Sequence, residues 1–173
     1  MIETRRISRK LATVKDLSHL ERMLDHAKQQ MCSEGITQWT ETYPNREDIY
    51  RDILKRQLWL FGDDVKAMAV IEENLNFWNI KRLVVDSAFS GKGIASLVID
   101  EIKQLMVVHH VAEARLCTNH TNHRMIRLAN HKGSYFIIII KPKIEKTLEP
   151  LSNLGTADFP MRIHVKMKRY INY

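Results

Sequence analysis

The chain has 173 residues, of which 45% are hydrophobic and 27% are charged, and this composition predicts one globular domain spanning residues 1–173. The formal net charge is +7, but the basic residues are scattered along the chain, so the charge favours an anionic small ligand over a nucleic acid. Because the sequence has no apolar run of membrane-spanning length and no signal-peptide core near its start, we expect a cytoplasmic protein with no membrane partner.

The first half of the chain predicts a strand, two helices and a meander of antiparallel strands. Residues 11–31 carry leucines at helical spacing after the capping-box-like pattern Thr13-x-x-Asp16, and Asn45 can cap a second helix. Polar turns at 62–64 and 74–76 separate three apolar segments. The predicted elements are a strand near 7–12, a helix over 11–31, a helix after Asn45, and strands over 58–61, 65–71 and 77–85.

The second half of the chain alternates helices and strands. Two glycines precede a helix whose apolar residues, from Ile94 to Met106, lie on one face. The predicted elements after it are a strand over 114–118, a helix over 122–130, an apolar strand over 135–140, a proline-containing loop over 141–160, and a last edge strand over 163–167. The order βααβββαβαββ predicts a mixed α/β (α+β) fold.

The turn S-G-K-G at 90–93 joins a predicted strand to the central helix and indicates a phosphate site. It is not a Walker loop, which needs Lys-Ser or Lys-Thr where Ile94 follows Gly93. It also lacks the third glycine of the dinucleotide fingerprint, whose place is taken by Ser96. A third kind of phosphate site needs only two closely spaced glycines before a helix. In such a site a compact turn directs its backbone amides, together with the helix N-terminus, at a pyrophosphate. A plain strand-to-helix turn with convenient glycines is the alternative.

Four segments of the sequence resemble motifs of the GNAT superfamily of N-acetyltransferases. S-G-K-G-I-A at 90–95 is similar to that family's acetyl-CoA pyrophosphate motif, and the segment 81–85 before it is similar to the family's splayed strand. N-x-x-M-x-x-L at 122–128, followed by Lys-Gly at 132–133, resembles a second family motif, and G-I-x-Q-W…Y-P at 35–44 resembles a segment of a bacterial branch. The resemblance covers about residues 12–140 and implies a mostly antiparallel central sheet of six to seven strands, flanked by about four helices.

The resemblance also implies the chemistry: acetyl-CoA is the cosubstrate, no metal is needed, and an acetyl group passes to a primary amine of a small molecule or peptide. The turn and the helix start would hold the pyrophosphate, and the pantetheine arm would pair with the preceding strand like an added β-strand. Ser90 replaces the arginine or glutamine of the motif, a loss for which Lys92 or Lys81 can compensate. The implied cofactor-binding residues are Leu83, Val84, Val85, Ser90, Gly91, Lys92, Gly93, Ile94, Ala95, Ser96 and Asn122.

Candidates for the catalytic groups come from the same resemblance and from general chemistry. A carboxylate acting through water can take the proton of the attacking amine, and Glu72 and Glu73, at the end of a strand, are the candidate bases. The alternative is that both glutamates are solvated turn residues. The backbone N–H groups near Val84 or Val85 are expected to stabilise the oxyanion.

The general acid and the acceptor site are predicted from fewer signals. Ala129 stands where the family often has a tyrosine acid, which leaves Tyr135 as the candidate. The acceptor cleft is expected between the first two helices, although its Trp39 can equally be a core residue. The predicted substrate-binding residues are Gln38, Trp39 and Tyr43, and three nearby glutamates that favour a cationic amine are Glu34, Glu41 and Glu47.

Other functions stay open on sequence alone. Ser90 and Ala129 also fit a CoA-binding sensor or interaction module with weak catalysis, and the net charge fits, less well, a nucleic-acid-binding protein. Cys117, His120 and His123 are regularly spaced but lack the four ligands of a zinc site. Strand edges near the C-terminus are compatible with a homodimer.

Overall fold

A computed structural model describes residues 6–119 and 121–132, together with the backbone of two strands at 135–138 and 162–168. The helices are α1 (Leu17–Ser33), α2 (Arg46–Leu54), α3 (Ile94–Val108) and α4 (His123–His131). The strands are β1 (Arg9–Leu11), β2 (Leu58–Phe61), β3 (Ala67–Glu73), β4 (Trp78–Val85), β5 (Glu113–Asn119), β6 (Tyr135–Ile138) and β7 (Arg162–Lys168). Their order along the chain is the predicted one.

All seven strands form one sheet in the order β1-β2-β3-β4-β5-β7-β6, and every neighbouring pair is antiparallel except β4 and β5. This confirms the predicted mixed, mostly antiparallel sheet flanked by four helices. The prediction that 163–167 is an edge strand is wrong, since β7 pairs with both β5 and β6. An alternating segment fits an edge or an inner position equally well, so the sequence pattern could not decide between them. The loop predicted at 141–160 lies outside the described residues.

The sheet separates two hydrophobic clusters. Alternate residues of β3 project to opposite faces, so Met68 and Val70 pack with α1 and α2, whereas Ala69 and Ile71 pack with α3 and α4. Leu20 and Ile102 are fully buried, one in each cluster. Burying a side chain of this size contributes about 1.5–3 kcal/mol, so helices on both faces are held firmly against the sheet.

The two helix starts predicted from capping residues have different outcomes. The Asn45 side chain accepts a hydrogen bond from the backbone N–H of Asp48, and α2 begins at the next residue, as predicted. Thr13 and Asp16 do form their predicted contact, with the Asp16 carboxylate accepting from the N–H and the hydroxyl of Thr13. That contact closes a short 3₁₀ turn at 14–16, so α1 begins at Leu17, later than predicted.

Strands β4 and β5 are paired over only three residues and then diverge. The paired residues run from Trp78 opposite Ala114 to Ile80 opposite Leu116. On its other side, β4 carries a bulge, because Met68 pairs with Val84 whereas Val70 pairs with Lys81. The bulge contains Arg82, whose φ of 49° lies in the left-handed region, which costs a non-glycine residue about 1–3 kcal/mol. The gap beyond Ile80 and the bulge beside it position the candidate site.

Candidate functional site

A cavity of about 490 Å³ opens where β4 and β5 diverge. It is bounded by the end of β4, the 89–96 turn with the start of α3, the end of α1 and the start of α4. Three separate segments of the predicted cofactor site therefore meet at one place. The predicted cofactor residues that line the cavity are Leu83, Val84, Val85, Ser90, Gly91, Gly93, Ile94, Ala95, Ser96 and Asn122.

The glycine turn has the conformation that an anion-binding turn requires. Gly91 and Gly93 have φ values of 74° and 77°, which glycine adopts without strain. A Cβ atom at either position would meet nothing within 4 Å, so these positions favour glycine for its backbone freedom and not for lack of space. Gly93 caps α3, whose first backbone N–H groups have no partner within the helix and lie at the cavity wall.

Lys92 is the one predicted cofactor residue that does not line this cavity. Its ammonium donates to the carbonyl of Ala88 at 3.0 Å and lies 5.4 Å from the centre of the Phe89 ring. Lys81, the other predicted compensating cation, forms an ion pair with Glu72 at 2.7 Å. The donors at the turn that face the cavity are therefore backbone N–H groups and the side chains of Ser90 and Ser96.

The end of β4 presents backbone groups to the gap. The N–H of Asp86 donates to the carbonyl of Lys66, next to β3, at 2.9 Å. Because successive residues of a strand direct their backbone groups to opposite sides, Val84 faces β3, whereas Leu83 and Val85 face the gap toward β5. Of the two predicted oxyanion donors, the geometry therefore favours Val85 over Val84 and adds Leu83.

A second cavity of about 40 Å³ adjoins the first and includes two of the three predicted acceptor residues, Gln38 and Trp39. Leu83 and Asn122 line both cavities, so the two spaces meet beside these residues. Tyr43 does not line this cavity; it is 47% exposed, and its hydroxyl lies 3.5 Å from the Arg82 guanidinium.

Gln38 connects the loop after α1 to the end of β5 and to Asn122 at the start of α4. Its side-chain oxygen accepts hydrogen bonds from the Thr118 hydroxyl at 2.9 Å, the Asn119 N–H at 3.1 Å and the Asn122 side chain at 3.4 Å. Asn122 in turn caps α4 by accepting from the N–H of Met125. These three partners are buried, so Gln38 fixes the loop over the diverging strands.

The predicted bases lie away from both cavities. The Glu72 carboxylate accepts from Asn79 at 2.8 Å and pairs with Lys81, and these hydrogen bonds, that of Lys81 first, lower the pKa of Glu72. Glu73 is exposed at the end of β3. Neither glutamate lines the larger or the smaller cavity. For Tyr135, only the backbone position at the start of β6 is described, so its role as acid stays a prediction.

The three glutamates predicted to attract a cationic amine are dispersed. Glu34 lines the larger cavity and pairs with Arg124 at 3.0 Å, so its charge is already balanced across the cavity mouth. Glu41 and Glu47 are exposed and line neither cavity. The three glutamates therefore do not form one negatively charged site for a cationic amine.

Sequence reasoning missed a buried ion pair beside the smaller cavity. Arg82, in the β4 bulge, binds Asp52 of α2, and their side chains are only 10% and 11% exposed. Burial raises the pKa of Asp52, and the Arg82 charge opposes that rise in part. A signal was present in the sequence, because Asp52 falls between Ile49 and Ile53 on the apolar face of α2, where a carboxylate needs a partner.

Two other classes of site are not seen in the parts of the chain that the structure describes. No group of three or more His, Cys, Asp and Glu side chains is placed there to hold a metal ion. His120 of the regularly spaced Cys117–His123 set lies outside those residues. Among the described helices, none has the length and hydropathy needed to cross a bilayer.

Comparisons with known proteins agree with this geometry. The family model "Acetyltransferase (GNAT) family" matches residues 20–133. A GNAT-family acetyltransferase from Streptococcus agalactiae is 19% identical, with a TM-score of 0.72 and coverage of 95% of this chain and 96% of that chain. The PaiA N-acetyltransferase from Thermoplasma acidophilum, solved with coenzyme A, is 14% identical, with a TM-score of 0.68 and coverage of 95% and 100%.

A third similar structure, a GNAT-family acetyltransferase from Elizabethkingia anophelis with acetyl-CoA bound, is 15% identical, with a TM-score of 0.63 and coverage of 96% of this chain and 100% of that chain. At these identities the likeness shows a shared fold. The search among curated proteins found no match.

Proposed function

The chain belongs to the GNAT family of acetyltransferases, and from this premise we propose that it transfers the acetyl group of acetyl-CoA to a primary amine of a small molecule or peptide. The observation that carries the proposal is the 490 Å³ cavity, because ten residues predicted from sequence to bind the cofactor line it together. They come from β4, the glycine turn and the start of α4, which only the fold brings close.

The described residues fit acetyl-CoA by their donor chemistry. A pyrophosphate needs several N–H donors without competing carboxylates, and the first turn of α3 has no acidic residue. A pantetheine arm carries amide groups, and the backbone of Leu83 and Val85 offers complementary groups on the open side of β4. When bound, acetyl-CoA supplies an activated acyl group, a thioester whose thiolate is a good leaving group.

The contribution of the protein is mainly positioning and electrostatic stabilisation. The two cavities meet beside Leu83, so an amine in the smaller cavity lies next to an acyl group in the larger one. The N–H of Leu83 or Val85 can stabilise the negative charge that develops on the carbonyl oxygen. Glu72 is a weak candidate for the base, since its lowered pKa makes it a poorer proton acceptor.

The acceptor enters by the smaller cavity in this proposal. Its volume of about 40 Å³ accommodates an amino group and little more, so the rest of the acceptor would lie outside, near Trp39 and Tyr43. This supports an acceptor with an unhindered primary amine. Assays with primary, secondary and branched amines would test it, and equal turnover of all three classes would contradict it.

The binding step is tested by calorimetric titration with acetyl-CoA, NAD and ATP. We expect micromolar binding of acetyl-CoA and no comparable binding of the other two. Gly93→Asp should weaken binding by about 100-fold or more, because it places a carboxylate at the helix N-terminus beside the phosphates. Gly93→Asn is the matched control, since asparagine has the same size and tolerates a positive φ.

Either of two results would contradict the proposal. Absence of acetyl-CoA binding by the unmodified protein would remove the transferase assignment. Equal losses of acetyl-CoA affinity in Gly93→Asp and Gly93→Asn would show that binding depends on the backbone conformation of the turn and not on an anion site there. Micromolar binding without turnover of any amine would instead support the alternative of a CoA-binding sensor.

We further propose that the chain acts in the cytoplasm as a single catalytic domain, alone or as a homodimer. The proposed use of acetyl-CoA as cosubstrate supports this location. Light scattering of the purified protein, with and without acetyl-CoA, measures the oligomeric state.

A further inference from the structure

The bulge in β4 lies where the two cavities meet. Arg82 occupies the bulge with a φ of 49°, and the next residue, Leu83, lines both the larger and the smaller cavity. The backbone between these residues therefore sets the direction of the Leu83 N–H. An L-residue does not hold a left-handed φ unless its surroundings enforce it.

The surroundings that hold Arg82 come from a different layer of the molecule. Its guanidinium binds Asp52 of α2, lies 3.9 Å from Asp48 of the same helix, and lies 5.5 Å from the centre of the Tyr43 ring. The side chains of Arg82, Asp52 and Asp48 are between 10% and 13% exposed. A planar guanidinium held by a carboxylate in a buried setting has little freedom, so α2 fixes the position of the bulge.

We propose that the Arg82–Asp52 ion pair is a positioning device for acetyl transfer, which holds the β4 bulge so that the Leu83 N–H points at the acetyl carbonyl oxygen. The inference rests on the proposed function. Asp52 lines neither cavity, so it acts through Arg82 and the backbone of Leu83. Arg82 also lines the smaller cavity, so kcat has to be measured at saturating amine, where a loss of amine binding has no effect. The role is thus distinct from that of the glycine turn, which binds the cofactor.

The experiment separates positioning from simple stabilisation. Arg82→Met leaves the buried Asp52 carboxylate without its cation, and Asp52→Leu leaves Arg82 with only the more distant Asp48, so both single variants should have a lower melting temperature. The double variant Arg82→Met/Asp52→Leu removes both charges, and its melting temperature should recover. Its kcat should stay about 100-fold below that of the unmodified protein, the size of loss found when one oxyanion donor is removed. Its Kd for acetyl-CoA should be unchanged.

A second measurement does not depend on the acceptor. Acetyl-CoA labelled with ¹³C at the thioester carbonyl is bound to each protein and its infrared carbonyl stretch is recorded. We expect a shift to lower frequency in the unmodified protein, caused by the hydrogen bond from Leu83, and loss of that shift in the double variant. Arg9→Met is the matched control, because Arg9 forms an ion pair with Glu101 at 2.8 Å that lines neither cavity. It should change neither kcat nor the stretch.

The outcomes distinguish the two proposals. If kcat and the carbonyl stretch recover together with the melting temperature in the double variant, the ion pair is only structural and this inference is wrong. If the unmodified protein does not bind acetyl-CoA or turn over any amine, the proposed function fails and the inference falls with it. If Kd for acetyl-CoA rises in the double variant while kcat does not change, the pair serves cofactor binding, which also overturns the inference.

Discussion

The proposed cofactor side of the cleft, formed by the turn at 89–96, and the proposed acceptor side, formed around Gln38, are constructed differently. On the cofactor side, a short continuous turn provides backbone N–H groups, and its glycines supply the dihedral angles. On the acceptor side, side chains from distant parts of the chain hold one another, as Gln38 holds residues of β5 and α4. A backbone site tolerates changes of side chain as long as its conformation survives, whereas a site of interlocked side chains depends on each partner.

The largest effect is expected on the acceptor side, at Gln38. Gln38→Ala removes the acceptor of three hydrogen bonds and leaves buried donors unsatisfied, which should lower the free energy of unfolding by about 1–3 kcal/mol. The KM for the amine should rise as the loop loosens. Chemical denaturation and steady-state kinetics measure the two effects.

Gln38→Glu is the control for that change, because a carboxylate oxygen can still accept from Thr118 and Asn119. It should be less destabilising than the alanine variant. Equal destabilisation by both variants would show that packing, and not the hydrogen-bond network, holds the acceptor side together.

A smaller effect is expected at Glu72, on stability alone. Its pKa is lowered by Lys81 and Asn79, so the folded state binds its proton less readily than the unfolded state does. The stabilisation from Glu72 is therefore present above its unfolded pKa of 4.5 and is lost as the pH falls through the lower folded pKa. Glu72→Gln should lower the melting temperature at pH 7 and make no difference at pH values below the folded pKa.

The activity of Glu72→Gln decides between two roles for this carboxylate. Since Glu72 lines neither cavity, kcat at pH 7 should stay within about threefold of that of the unmodified protein, far less than the 10²–10⁴-fold that general base catalysis contributes. A hundredfold loss of kcat without loss of folding would restore the sequence-based assignment of Glu72 as the base.

The smallest effect is expected on the cofactor side, at Lys92. Its ammonium is directed at the Ala88 carbonyl and not into the cavity, so Lys92→Gln removes only a screened, long-range attraction. The Kd for acetyl-CoA should rise by less than about threefold, and the difference should shrink at high salt. A tenfold change that salt does not affect would mean that Lys92 contacts a phosphate directly, and the cofactor side would then depend on a side chain as well.

The difference between a continuous turn and contacts between distant residues explains which features of the structure could be predicted from the sequence. Helical and strand periodicities are local patterns, so the order of elements and the position of α3 behind the glycine turn were predicted correctly. Most of the residues predicted to bind the cofactor lie within 83–96, so a local pattern was also enough to predict residues that line one cavity. The place of β7 between β5 and β6 was not predicted, because strand order is a non-local property.

The acceptor side was harder to predict because its contacts join residues far apart in sequence. Gln38 is 80 residues from Thr118, and Arg82 is 30 residues from Asp52. A single sequence does not reveal such pairs. A charged residue on an apolar helix face does indicate that it has a partner. The position of Asp52 therefore predicts an ion pair, but it does not identify Arg82 as the partner.

The sheet also separates two hydrophobic cores, so the packing of one core can be changed with little effect on the packing of the other. The core around α3 and α4 lies on one face, and the core around α1 and α2, which carries the loop with Gln38 and Trp39, lies on the other. Substitutions in separate cores with no shared partners have nearly additive energies. Side chains that pack only within the α1–α2 core, such as Leu24 and Ile49, can therefore be varied in directed evolution while the α3–α4 core keeps its stability. Gln38 is the exception, because its hydrogen bonds reach Thr118, Asn119 and Asn122.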